Sequence, residues 1–180
     1  MNQTRMRASA LAATAVSFCG ILATAQPAAA AETCTTKDNS RIIAMSGAIP
    51  ETWVGIPTCV EALPGDKVRG TFRFHWKVGP NDGQSDFTSK RFTSFKVTVR
   101  LESRFPGGAD TVVTSKTCDF AEDINKALES NPNAEVGCVT PAAALDHGKQ
   151  WSGDATAVYD VAGDNKGPIT WNLNGSPLMS

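Results

Sequence analysis

From Lys67 to Val78 every odd position is polar and every even position is apolar or glycine. A period of two marks a half-buried strand, with Val68, Phe72, Phe74, Trp76 and Val78 directed into a core. The alternation returns over residues 95–105. There Phe95, Val97, Val99, Leu101 and Phe105 take the inward parity, and Lys96, Thr98, Arg100, Glu102 and Arg104 the outward one. Gly79-Pro80-Asn81-Asp82-Gly83 between the runs is a turn signal, which suggests a hairpin of the two long strands. Pro106-Gly107-Gly108 closes the second run ahead of a third strand over residues 110–117.

Shorter runs flank this centre. Residues 41–49 and 52–60 precede it, with Pro50 and Pro57 marking edges or bends. Residues 155–162 follow, then the turn Gly163-Asp164-Asn165-Lys166-Gly167, then residues 169–174 with Ile169, Trp171 and Leu173 on one face. β-Branched and aromatic residues supply these runs, as strands require. The fold class is therefore all-β: an antiparallel β-sandwich or open barrel.

One segment departs from the alternation. Phe120, Ile124 and Leu128 are spaced for one stripe of a short α-helix near residues 119–130. Asp119 stands at its N-cap, Glu122 at the capping-box position and Asp123 in the first turn, while Asn131-Pro132 stops it.

Upstream of all this the chain reads as a secretion signal. Arg5 and Arg7 form a basic n-region, an alanine-rich apolar run follows, and Ala29-Ala30-Ala31 before Glu32 offers a small-residue cleavage site. Residues 1–31 are thus expected to be removed, leaving residues 32–180 as a single β-sandwich domain, secreted and extracellular. No later apolar run is long enough to span a bilayer as a helix. The alanine-rich leader and short cysteine-bearing body are in the style of small exported bacterial proteins.

The expected compartment decides what the cysteines do. Cys34, Cys59, Cys118 and Cys138 form an even set in an oxidising environment, which predicts two disulfides. Zinc would require close Cys pairs, which this spacing lacks. Four cysteines allow three connectivities, of which sequence neighbours, Cys34–Cys59 and Cys118–Cys138, pair most economically. Each loop closed in this way is worth roughly 3 kcal/mol on the chain-entropy model.

Charge changes the picture most. Losing Arg5 and Arg7 takes the formal net charge from −1 to −3, yet the charges are segregated. Residues 67–104 carry nine basic side chains against three acids, and residues 105–180 four against ten. Paired as a hairpin, the two long strands would merge Arg69, Arg73, His75, Lys77, Lys96, Arg100 and Arg104 into one cationic face. Such a face suits an anionic polysaccharide or cell-wall polymer. The acids of later strands, Asp154 and Asp160 among them, are placed to neutralise it.

Two of the four tryptophans, Trp76 and Trp171, fall on inward parity; Trp53 and Trp151 are uncommitted and suited to stacking on sugar rings. Nucleophile-elbow, zincin, P-loop and dinucleotide signatures are absent from the sequence. His147 follows Asp146 directly, and adjacency in sequence is not triad geometry. Asp160 with Asp164-Asn165, and Asn81-Asp82 with Asp86, hold oxygen ligands at spacings that turn chemistry explains without calcium.

The reading is a non-catalytic secreted binding module needing no cofactor or metal. Two alternatives stand beside it: a protease inhibitor acting on an extracellular protein through residues 132–141 around Cys138, and a small secreted hydrolase.

Overall fold

The computed structural model describes residues 31–79, 86, 88–126 and 136–180, so almost all of the expected leader lies outside the described residues. Along the chain come β1 (Glu32–Cys34), β2 (Ser40–Ile43), β3 (Thr52–Gly55), β4 (Thr58–Leu63), β5 (Lys67–Val78) and β6 (Phe92–Arg104). They are followed by β7 (Thr111–Asp119), α1 (Ala121–Lys126), β8 (Val136–Val139), β9 (Ala143–Ala144), β10 (Gln150–Val161) and β11 (Ile169–Asn172).

Two antiparallel sheets result. The first is built on β5. β3 and β4 lie along one side of it in a single continuous register, Thr52 opposite Val78 and Leu63 opposite Lys67, broken only at Ile56-Pro57. The bend expected at Pro57 is this break. β2 and β1 extend the sheet outward from β3 and β4, and β8 and β9 line the other side of β5. The second sheet has the order β11-β10-β6-β7.

The alternation read from the sequence places the core. Val68, Phe72, Phe74, Trp76 and Val78 of β5 are buried, as are Phe95, Val97, Val99 and Leu101 of β6. Phe74 meets Phe95 edge-on at 5.3 Å between ring centroids and stacks on Phe120 at 4.8 Å, so the sheets pack inner face to inner face. α1 closes one end of this core with Phe120 and Ile124. Asp119 caps it, its Oδ1 accepting the Ala121 N–H at 3.0 Å. Leu128, the third member of the expected stripe, lies outside the described residues.

Both disulfides have the neighbour connectivity. Cys34–Cys59 ties β1 to β4 within the first sheet, and Cys118–Cys138 ties β7 of the second sheet to β8 of the first. Among the described residues no helix is long and apolar enough to cross a membrane.

Three expectations need correction. β5 and β6 do not form a hairpin. The tight turn at Gly65 and Asp66 (φ 76° and 50°) commits β5 to β4, while β8 and β9 occupy its other side. β6 is likewise flanked on both sides, by β7 and β10, so neither long strand has an edge left for the other.

Phe105 does not face inward. β6 ends at Arg104, Ser103 takes the last inward place, and Phe105 begins the turn closed by the Gly108 N–H on its carbonyl. Its ring is 64% exposed and lies beneath the Lys149 ammonium at 5.3 Å. Trp151, read as uncommitted, is buried with Val60, Val68 and Leu101, and its indole N–H donates to the Asp146 carbonyl at 3.1 Å.

Candidate functional site

The seven expected ligand-binding residues do not share one face. Because β5 and β6 belong to opposed sheets, Arg69, Arg73, His75 and Lys77 lie on the outer face of the first sheet. Lys96, Arg100 and Arg104 lie on the outer face of the second, on the far side of the sandwich.

On the second sheet the arginines are tied up by acids. Asp154 stands opposite Arg100 in the register and bonds its Nη2 at 3.0 Å; Glu102 takes Nε at 3.2 Å and Thr156 takes Nη1 at 2.9 Å. Burial opposes the Arg100 charge, yet the hydrogen bonds and fields of Asp154 and then Glu102 raise its pKa. Glu102 is itself pushed up, first by burial and then by Asp154, against the pull of Arg100. Arg104 faces Asp110 at 3.6 Å. Asp160 instead accepts the Thr93 hydroxyl. Lys96 is exposed and has no ion pair among the described residues.

The first sheet is different. Its outward residues on β5 run from Arg69 through Thr71, Arg73 and His75 to Lys77, about 26 Å at the usual rise per strand residue. Arg69 is held by Glu61 at 2.6 Å and Arg73 by Glu32 at 2.8 Å, over a depression of about 480 Å³. Those two acids come from β4 and β1, not from the acidic C-terminal half. Glu61 stands opposite Arg69 and Glu32 opposite Glu61 in the register, a placement that the sequence pattern alone does not give.

Past Arg73 the ion pairs end among the described residues, although Asp38 and Glu51 stand near His75 and Lys77. Among the described residues neither His75 nor Lys77 makes an ion pair, and Lys77 is exposed.

Beside them lies the exposed tryptophan. The register sets Ile42 against Trp53 and Trp53 against Lys77, and two residues along it sets Gly55 against His75. Ile42 is 62% and Trp53 38% exposed. The six-membered ring of Trp53 rests over Gly55: a Cβ at Gly55 would come within 2.8 Å of its Cη2. Glycine at the end of β3 thus admits the close approach that lays the indole along the sheet. Shallow depressions of about 190 and 250 Å³ flank it, one bordered by Asp38, Ser40 and His75, the other by Glu51 and Lys77.

The other candidates are placed as follows. Of the loop over residues 132–141 considered for protease docking, Val136–Val139 is strand β8 in ladder with Thr71–Phe74 of β5 and Thr140 is buried, its N–H on the Gly70 carbonyl; residues 132–135 lie outside the described residues. His147 meets Asp66 at 3.7 Å, not its neighbour Asp146, and both partners are well exposed. A cavity of about 650 Å³ beside α1 contains Asn125, whose amide is spent on the Arg91 and Phe92 N–H groups and the Phe92 carbonyl.

Asp86 accepts from Ser89 and Thr88 in a closed turn, which holds its carboxyl far below the usual range; Asn81 and Asp82 lie outside the described residues. Asp164 accepts the Lys166 N–H in a similar turn. Glu32 with Cys34 and Cys59 forms a cluster of ligand type, but its two sulfurs are bonded to each other.

No family model, curated protein or solved structure matches this chain.

Proposed function

We propose that the protein is an exported, non-catalytic binding module that takes an anionic polymer on the outer face of its first sheet. The observation that carries this is the juxtaposition of Lys77 and His75, which make no ion pair among the described residues, with the exposed Trp53–Ile42 surface. A cation not held in an ion pair and set beside apolar surface offers more to an anionic ligand than one already neutralised. Arg73 and Arg69 continue the track, their carboxylate partners Glu32 and Glu61 occupying positions that ligand anions would contest. Two disulfides and the expected leader support export.

Heparin chromatography with a salt gradient tests the reading. Wild-type protein should be retained at low salt despite its net negative charge. Lys77→Glu should abolish or sharply reduce retention, and Lys96→Glu, on the opposite sheet, should leave it unchanged. Flow-through of the wild type, or equal loss in both variants, would contradict the assignment to this face.

A further inference from the structure

We infer that the polymer is an acidic polysaccharide, with a pyranose ring stacked on Trp53 and an acid group of that ring or the next held by Lys77. This rests on the anion-binding reading of the same face and names its ligand class.

Among the four tryptophans, Trp76 and Trp151 are buried and Trp171 carries the Arg41 guanidinium over its ring at 4.6 Å. Trp53 alone presents an open indole. It lies along the sheet on Gly55, with Ile42 extending the apolar surface on one side and Lys77 standing on the other. A planar apolar platform matches the C–H face of a pyranose, whose hydroxyl rim then needs donors and acceptors around it. Asp38, Ser40 and His75 supply them in one flanking depression and Glu51 in the other. Depressions on both sides of the ring suit a chain that continues past the platform.

Charge density argues against polyphosphate, whose anions follow one another with no ring between them and call for a dense cationic track. Here the arginines farther along β5 are each held by a glutamate, and the lysines that border the platform without an ion pair among the described residues are two, Lys77 and Lys37, with Glu51 and Asp38 beside them. A few free cations around one stacked ring fit a polymer whose acids are spaced by whole rings, as polyphosphate's are not. Single-stranded nucleic acid, which also stacks on indoles, is the competing outcome.

The test is titration of the oxidised protein with four probes: a galacturonic-acid hexamer, an uncharged glucose hexamer, inorganic polyphosphate and a short oligo-dT. Tryptophan fluorescence and calorimetry give the readout, and each variant's melting temperature confirms folding. The hexauronide should bind tightest. Trp53→Ala should weaken it ~10-fold or more, as loss of a central aromatic anchor does, with heparin retention preserved because no charge is lost. Trp53→Phe should restore part of the affinity, and Lys77→Glu should remove both hexauronide binding and heparin retention.

Heparin retention with hexauronide affinity unchanged in folded Trp53→Ala overturns this inference and spares the anion-binding reading. Tighter binding of oligo-dT or polyphosphate than of the hexauronide overturns the polysaccharide assignment in the same way. A wild type that neither stays on heparin nor binds the hexauronide removes both.

Discussion

The backbone of Gly153 in β10 lies directly on the peptide carbonyl of Cys59 in β4: a Cβ at Gly153 would fall 1.9 Å from that oxygen. A Cβ at Gly70 would likewise come 2.8 Å from the Arg100 carbonyl. The two sheets thus touch main chain to main chain beside the small cluster of Val60, Val68, Leu101 and Trp151, and glycine sets their spacing.

Gly153→Ala should therefore force the sheets apart, at a cost of about 3 kcal/mol or more for overpacking against backbone that cannot move aside. Urea unfolding monitored by tryptophan fluorescence checks this. A variant within experimental error of the wild type would mean that the contact is absent.

Asn39 joins the sheets by polar means. It is 5% exposed; its side-chain carbonyl accepts the Asn174 backbone N–H at 2.8 Å and its amide donates to the Asn174 carbonyl at 2.9 Å. Asn39→Ala leaves the Asn174 N–H without that acceptor and should cost about 2 kcal/mol. Asn39→Asp keeps an acceptor and, once protonated, has an O–H donor for the Asn174 carbonyl, so it should recover part of this at low pH. Denaturant midpoints of the three proteins decide it.

Cys118–Cys138 links the sheets covalently and closes a loop with a sequence separation of 20. Replacing both cysteines by alanine should lower stability by about 3 kcal/mol, since the unlinked unfolded chain regains its loop entropy. Equal denaturation midpoints for this variant and the oxidised wild type would contradict it.

Glu102 supplies a pH dependence. Its folded-state pKa is raised by burial and by Asp154, so ionising it costs more in the folded protein than in the unfolded chain. Its contribution is favourable below the ordinary carboxylate range and is lost as pH rises through the raised value. Glu102→Gln should match the wild type near pH 4 and gain on it toward pH 7, by less than about 1 kcal/mol given solvent screening. Thermal melts across that range check the sign; a gain at acid pH only would reverse the assignment.

The parts of the fold that depend on side-chain parity were legible in the sequence. Phe72, Phe74 and Trp76 alternate with Arg73 and His75, and burial follows that alternation. Pairing between strands was not legible, because alternation fixes which way a side chain points and not which strand lies beside it. The turn signal after Val78 looked like a hairpin, whereas the connection to Phe92 passes between sheets, and the cationic row was divided with it.

Local strand ends were equally opaque. Nothing in the spacing of Phe105 told that β6 stops at Arg104, nor that Trp151, near the start of β10, lies inside the smaller cluster. At the candidate site, Lys77 was visible from sequence. The close seat of Trp53 on Gly55, and the glutamates that hold Arg69 and Arg73, required the registers of β1, β3 and β4 against their neighbours.

The central claim is that one outer face binds the polymer and the other does not. Backbone and indole NMR shifts during titration of the labelled, oxidised protein with a heparin-derived hexasaccharide test it most directly. The account predicts saturable shifts at Arg73, His75, Lys77 and the Trp53 indole, with Lys96, Thr98 and Thr156 unmoved. Shifts centred on β6 and β10, or none at any site at millimolar ligand, would contradict it.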